Sequence, residues 1–141
     1  MQKHKHGGDI YSQNIKLDYS ANISPLGLPK GVREAVVSSV DSLVHYPDVE
    51  CRRLREKIAE AEQVPMEAVL CGNGAAELIF ALAHGGRPQR ALLGAPGFAE
   101  YEQALLGTDC ELDFYELKEE NDFCFQEDYF SHITADTDLV F

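Results

Sequence analysis

The sequence predicts an α/β protein with a largely parallel sheet, and three observations carry this prediction. After residue 67, short apolar runs of strand length alternate with longer stretches of helical periodicity, as in chains built from βαβ units. Glycine- and proline-rich turns separate these runs, as expected where strands and helices are joined. The 141 residues, 45% of them apolar, are enough for one domain with a hydrophobic core.

An N-terminal arm and two helices precede the alternating part. Residues 1–30 predict an extended arm that contains one short strand, at residues 15–19. Apolar residues at helical spacing predict a helix from about residue 30 to residue 43. Asp48 is a suitable N-cap for a second, surface helix over residues 49–63.

The alternating part predicts three further strands, two helices and a strand at the end of the chain. In order, these are a strand at 68–71, a helix at 75–84, a strand at 91–95, a helix at 98–106, a half-buried strand at 110–114, a polar loop at 119–126 and a strand that opens at Leu139. The helix at 75–84 is apolar nearly all round, so we expect it to be buried. Because the last strand runs to the final residue, we expect the sheet to be incomplete in this chain.

Composition argues against several classes of function. The net charge of −12 argues against nucleic-acid binding, because phosphate backbones demand clustered Lys and Arg. No apolar run approaches the roughly 20 residues that span a bilayer, and the N-terminus lacks the apolar segment of a signal peptide. We therefore expect a cytoplasmic protein without a membrane partner. The four cysteines are scattered without a C-x-x-C pair, so no metal site is predicted.

The strongest local signal for chemistry is the segment Cys71-Gly72-Asn73-Gly74-Ala75-Ala76-Glu77, between a predicted strand and a helix. Free N–H groups and the macrodipole at a helix N-terminus favour a phosphate dianion, and glycines let the ligand approach the backbone. The dinucleotide fingerprint does not fit, because Glu77 stands where the third glycine belongs, and no P-loop Gly-Lys-Ser/Thr follows. A plain turn before a helix stays open as the alternative interpretation.

A second signal is the segment Ala95-Pro96-Gly97-Phe98-Ala99-Glu100-Tyr101, again at a strand end. Two interpretations of Phe98 stay open: its ring stacks on a heterocycle and fixes the plane of that ring, or it is a core residue at a helix start. Two interpretations of Tyr46 also stay open: a loop tyrosine either anchors a turn or presents its hydroxyl to a ligand.

Five segments in this order carry a family resemblance. They are His6-Gly7-Gly8-Asp9-Ile10-Tyr11, Leu17-Asp18-Tyr19-Ser20-Ala21-Asn22-Ile23-Ser24-Pro25-Leu26-Gly27, Tyr46-Pro47-Asp48, Gly72-Asn73-Gly74-Ala75-Ala76-Glu77 and Pro96-Gly97-Phe98-Ala99-Glu100-Tyr101. The succession resembles fold-type-I enzymes of the histidinol-phosphate aminotransferase group, which use pyridoxal 5'-phosphate (PLP). Within that group it looks most like the L-threonine-O-3-phosphate decarboxylases of cobalamin biosynthesis.

The resemblance implies a fold and a domain division. It implies the α/β/α sandwich of the fold-type-I PLP-dependent transferase large domain, incomplete and preceded by an N-terminal arm. Residues 1–45 would be the arm and first helix, as part of the small domain. Residues 46–141 would be the N-terminal portion of the PLP-binding large domain.

The resemblance also implies a cofactor set and a substrate set. The backbone at Gly74, Ala75 and Ala76 would hold the PLP phosphate, and Phe98 would stack on the pyridine ring. Tyr46 would reach the cofactor phosphate of a neighbouring subunit, which implies a homodimer. On the substrate side, the arm would close over a phosphorylated amino acid through His6, Gly7 and Asn22.

The family's catalytic groups fall outside the part that resembles this chain. The Schiff-base lysine, the Asp at the pyridine nitrogen and the substrate-binding arginines come after the strand that opens at Leu139. None of the six lysines stands in the family's Ser-x-x-Lys setting: Lys3, Lys5, Lys16, Lys30, Lys57 and Lys118. The resemblance therefore implies part of a PLP enzyme that is inactive alone. The alternatives left open are a histidinol-phosphate aminotransferase or related class I/II aminotransferase, and a freestanding phosphate-binding α/β module without catalysis.

Overall fold

The computed structural model describes residues 7–12 and 14–141. They form two compact units, one that ends at Val69 and one that spans Leu70–Phe141. None of the helices in these residues is long and apolar enough to cross a membrane. The domain division at residues 45 and 46 stays a prediction.

The arm contains no strand at residues 15–19, so that part of the prediction is wrong. The local hydrogen bonding there is of the turn type: the carboxylate of Asp18 accepts a bond from the N–H of Ser20, at 2.8 Å. Short polar side chains of this kind satisfy nearby backbone groups and so compete with a sheet ladder. The alternation of apolar residues in this stretch is too short to outweigh that local bond.

The first predicted helix is confirmed but ends earlier than its periodicity indicates. Helix α1 spans Lys30–Ser38, and a 3₁₀ turn at Val40–Val44 continues the same stretch. At the break, the hydroxyl of Ser38 donates to the carbonyl of Ala35 at 3.0 Å, and that of Ser39 to Val36 at 2.8 Å. Serine hydroxyls that bond to carbonyls one turn back weaken the regular helix.

The second helix, α2, spans Arg52–Glu62 and ends at Gln63, whose φ is +56°. The strand predicted at residues 68–71 is wrong, because the chain forms a 3₁₀ turn at Met66–Ala68 and then an unpaired extended stretch. The guanidinium of Arg55 donates to the carbonyl of Val69 at 2.9 Å and to that of Met66 at 3.0 Å. The bond to Val69 occupies a carbonyl group that a sheet ladder would need.

The second unit contains the sheet, and the predicted parallel arrangement is confirmed. Its elements are α3 (Gly74–Gly86), β1 (Arg90–Ala95), α4 (Ala99–Leu106), β2 (Glu111–Glu116) and β3 (Leu139–Val140). The strand order is β2-β1-β3, and β1 pairs in parallel with both neighbours. Ala91 is level with Leu112 on one side and with Leu139 on the other.

The core lies between helices α3 and α4 and one face of this sheet. It consists of five buried residues: Ala83, Ala91, Leu93, Ala104 and Leu105. The prediction that α3 is buried all round is wrong, because Ala83 is its only buried residue and Leu82 is exposed. One stripe of the helix is enough to contact α4 and β1, and the rest of its apolar surface faces outward in the described residues.

An aromatic cluster lies on the opposite face of the sheet. Because side chains alternate along a strand, Gly94 and Tyr115 face away from the helices. The ring of Phe125 stacks on Tyr115 with centroids 5.8 Å apart, and Tyr129 meets Tyr115 edge-on at 5.2 Å. The segment at 119–126 is therefore more than a polar loop. A Cβ on Gly94 would lie 2.9 Å from Phe125, so glycine leaves room for that ring.

An ion pair joins β1 and β2 on this same face. The guanidinium of Arg90 contacts both carboxylate oxygens of Asp113, at 2.6 and 3.2 Å. These hydrogen bonds hold the pKa of Asp113 below its ordinary value of 3.8. Because the pair is substantially exposed, we expect it to align the strands more than to stabilise them. The α/β class is confirmed, and the complete α/β/α sandwich stays a prediction.

Replacing the buried Leu105 by alanine tests where the core lies. Leu105 is 0% exposed and its neighbour Leu106 is 57% exposed. We expect Leu105→Ala to lower the free energy of unfolding by about 2–5 kcal/mol, because it leaves a cavity between α4 and the sheet. The control Leu106→Ala should change it by less than about 0.5 kcal/mol. Urea denaturation gives both values, and equal losses would contradict this placement of the core.

Candidate functional site

The turn before α3 is open on the side where a Cβ of residue 74 would lie. Gly74 begins the helix with a φ of +81°, a conformation that residues with a Cβ rarely adopt. A Cβ at this position would meet nothing within 4 Å. Helix geometry leaves the first N–H groups, including those of Ala75 and Ala76, without a partner inside the helix. Together with the helix dipole, these groups can bind an anion.

Hydrogen bonds within the turn give it a defined shape. The N–H of Gly74 donates to the carbonyl of Gly72 at 2.9 Å, and the N–H of Asn73 donates to the carboxylate of Glu77. The Asn73 side chain makes no capping bond. A Cβ on Gly72 would lie 2.8 Å from the side chain of Leu78. Glycine is therefore needed at position 72 for close packing and at position 74 for its backbone conformation.

Phe98 stands at the N-cap of α4, directly after β1 and the Pro96-Gly97 turn. Its ring is half exposed and meets Tyr101 edge-on, with centroids 5.5 Å apart. Tyr101 in turn stacks on Phe141, with centroids 4.5 Å apart and an interplanar angle of 10°. Tyr101 belongs to the segment Ala95–Tyr101, but no role was predicted for it. Because Tyr101 follows Phe98 by three residues, about one helical turn, the contact between the two rings could have been predicted.

The packing of α3 on α4 bears on where the turn before α3 and the Phe98 ring lie relative to each other. The two helices pack side by side through the core, and a Cβ on Gly107 would lie 3.3 Å from the imidazole of His84. Ala75 lies nine residues before His84, and Phe98 lies nine residues before Gly107. Since both helices rise about 1.5 Å per residue, we infer that the open turn and the Phe98 ring lie at the same end, beyond the carboxyl end of β1.

Tyr46 belongs to the first unit, in the segment between the 3₁₀ turn and α2. Its side chain is exposed. Two residues on, the carboxylate of Asp48 accepts hydrogen bonds from the N–H groups of Glu50 at 3.2 Å and Arg52 at 2.9 Å. Both bonds hold the pKa of Asp48 below its ordinary value of 3.8, and the bond from Arg52 has the larger effect. The Asp48 carboxylate thus binds the first N–H of α2, but the prediction that Asp48 is the N-cap is wrong, because the helix begins at Arg52 and its N-cap is Cys51.

The predicted substrate residues lie in the arm. Gly7 runs so close to Ser20 that a Cβ on Gly7 would lie 1.7 Å from the Ser20 carbonyl oxygen. The N–H of Gly8 donates to the Ser20 hydroxyl at 2.8 Å. Asn22 is exposed, two residues after Ser20. The structure therefore brings Gly7 to the segment that leads to Asn22, and His6 lies outside the described residues.

The comparisons with known proteins agree with the resemblance read from the sequence. The model of the family "Aminotransferase class I and II" matches residues 14–133. A threonine-phosphate decarboxylase from Salmonella typhimurium is 38% identical over 144 residues, which cover 96% of this chain and 40% of that protein. The chain thus spans about two fifths of the length of this curated relative.

Two solved structures share the fold over about a third of their length. The histidinol-phosphate aminotransferase from Clostridium acetobutylicum superposes with a TM-score of 0.72 at 33% identity, covering 86% of this chain and 35% of that one. The L-threonine-O-3-phosphate decarboxylase from Porphyromonas gingivalis gives a TM-score of 0.68 at 26% identity, covering 79% and 34%. With the family model matching most of its residues, the chain belongs to the class I and II aminotransferase family, whose members depend on PLP.

Proposed function

We propose that this chain is part of a PLP-dependent enzyme that decarboxylates a phosphorylated amino acid, L-threonine O-3-phosphate. The observation that carries the proposal is the similarity to the Salmonella typhimurium threonine-phosphate decarboxylase, which extends over 96% of the chain. A match of that extent includes the arm, where the substrate contacts are expected, as well as the phosphate-binding turn. The 141 residues alone are expected to be inactive, because the Schiff-base lysine is not among them.

The open turn at the start of α3 has the form that a cofactor phosphate needs. Gly74 has a positive φ and open space where a Cβ would lie, so no side chain at this position covers the turn. In the proposal, the backbone of Gly74, Ala75 and Ala76 holds the phosphate dianion, with the helix dipole adding to the attraction. PLP, when bound, supplies an electron sink for the negative charge that develops on the substrate Cα.

Phe98 would fix the plane of the cofactor ring. Its half-exposed ring is supported edge-on by Tyr101, which itself stacks on Phe141. A ring held in this way has little freedom to turn aside, so it can orient a heterocycle at low entropic cost. By fixing the plane of the ring, Phe98 would orient the cofactor relative to the bound substrate.

The remaining residues of the proposal lie in the first unit. Tyr46 would donate its hydroxyl to the phosphate held by a second copy of the chain, so the enzyme would work as a homodimer. Its exposure and the hydrogen bond from the Arg52 N–H to the nearby Asp48 carboxylate suit a tyrosine presented from a fixed turn. His6, Gly7 and Asn22 would contact the phosphorylated substrate from the arm.

A histidinol-phosphate aminotransferase is the second candidate, and one observation favours it. The Clostridium acetobutylicum enzyme superposes with a higher TM-score and a higher identity than the Porphyromonas gingivalis decarboxylase does. Both activities would act on a phosphorylated amine and would use the same cofactor. They differ in whether CO₂ or a proton leaves the substrate.

Product analysis separates the two candidates. The full-length protein, loaded with PLP, is supplied either with L-threonine O-3-phosphate or with histidinol phosphate and a 2-oxo acid. The decarboxylase proposal expects CO₂ release from the first and no amino-group transfer from the second. Transfer to the 2-oxo acid without CO₂ release would favour the aminotransferase, and neither reaction with PLP retained would contradict both.

Replacing Gly74 by valine tests the phosphate-binding turn. A residue with a Cβ at a φ of +81° costs about 1–2 kcal/mol or more, so PLP affinity of the full-length protein should fall by about tenfold or more. The measurement is PLP absorbance retained after gel filtration. Gly85→Val is the control, because Gly85 lies at the other end of α3, has no positive φ and has open space at its Cβ. Unchanged retention of PLP in Gly74→Val would contradict the assignment of this turn to the cofactor phosphate.

Replacing Phe98 by alanine tests the stacking role. Aromatic pairs contribute about 0.5–1.5 kcal/mol, so PLP affinity should fall by about two- to tenfold. Phe114→Ala is a matched control, since both residues are 49% exposed and Phe114 lies on β2. Titration of the apo protein with PLP gives both constants. Equal losses in the two variants would show that Phe98 acts through folding and not through the cofactor.

A further inference from the structure

Glu77 makes a contact that the proposed function does not yet use. It lies in the first turn of α3, and its carboxylate accepts a hydrogen bond from the N–H of Asn73, four residues earlier. The same carboxylate oxygen stands 3.2 Å from where a Cβ would sit on Gly72. The Glu77 side chain therefore folds back over the turn and closes it from the side of Gly72 and Asn73.

This contact adds to the Gly74–Gly72 hydrogen bond and to the packing of Leu78 against Gly72 in defining the turn. The Asn73 side chain makes no capping bond, and Gly74 is the residue type with the greatest backbone freedom. The Gly74–Gly72 hydrogen bond spans only three residues. Without the Glu77 carboxylate, the Asn73 N–H would lose its partner, and the direction of the N–H groups that follow would be less defined.

The charge of Glu77 adds a second consequence. A carboxylate near a helix N-terminus is favourable in the absence of other anions, because it complements the helix dipole. A phosphate dianion at the same helix end would feel that negative charge. An uncharged oxygen acceptor at position 77 would keep the hydrogen bond and remove the repulsion.

We propose that Glu77 is a positioning residue of the cofactor phosphate site: its carboxylate holds the Asn73 N–H and so orients the N–H groups of Ala75 and Ala76 toward the phosphate. This inference rests on the proposed PLP function. It assigns Glu77 no contact with the cofactor and no part in the chemistry.

The test compares PLP with pyridoxal, which lacks the phosphate, in titrations of the full-length apo protein. Glu77→Ala should weaken PLP binding by about three- to tenfold, as loss of a helix cap does, and leave pyridoxal binding unchanged. Glu77→Gln keeps an oxygen acceptor and should bind PLP at least as tightly as the original protein. Glu56→Ala, which removes an exposed carboxylate from α2, should change neither constant.

The ³¹P resonance of bound PLP supplies a readout that is independent of affinity. We expect it to shift in Glu77→Ala and to stay in place in Glu77→Gln. A ratio of PLP to pyridoxal affinity that is the same in Glu77→Ala and the original protein would overturn the inference. If Glu77→Ala does not fold, loss of PLP binding in a folded Glu77→Gln overturns it instead. Failure of the original protein to bind PLP would contradict the proposed function itself.

Discussion

The close contact of small residues between α3, α4 and β1 is the constraint on which the second unit depends. Ala83, Ala91 and Ala104 are fully buried at this junction. Alanine lets two helices and a strand pack closely, and Leu93 and Leu105 belong to the same buried cluster. Larger side chains here would separate the helices, and their N-terminal ends would move apart as well.

That contact positions the candidate site without contributing a residue to it. His84 lies beside Gly107 at the C-terminal ends of α3 and α4. Because the two helices have equal lengths from this contact, the open turn and the Phe98 ring lie together at their N-terminal ends. Parallel strands naturally present such ends at their carboxyl edge, where ligands bind in open α/β sheets. The opposite face is closed by Phe125 over Gly94, so both faces hold β1 in place while its carboxyl end stays accessible.

Much of the fold could be predicted from the sequence where a pattern depends on neighbours in the chain. The strand of β1, the helix of α4 and the parallel pairing followed from apolar runs bounded by glycine and proline. The two strand predictions failed where a single polar side chain binds the backbone. Arg55 takes the carbonyls of Met66 and Val69, and Asp18 binds the N–H of Ser20. Short apolar runs do not reveal such competition, because it depends on side-chain placement.

The sequence by itself determined the family, the α/β class and the glycine-rich turn, because each follows from residues adjacent in the chain. Only the tertiary structure decided which stripe of α3 is buried, that Phe125 covers the second face, and that Tyr101 and Phe141 support Phe98. It also showed that Glu77 folds back onto Asn73. These features depend on contacts between distant elements or on side-chain direction, and such contacts exist only once helices and strands have packed.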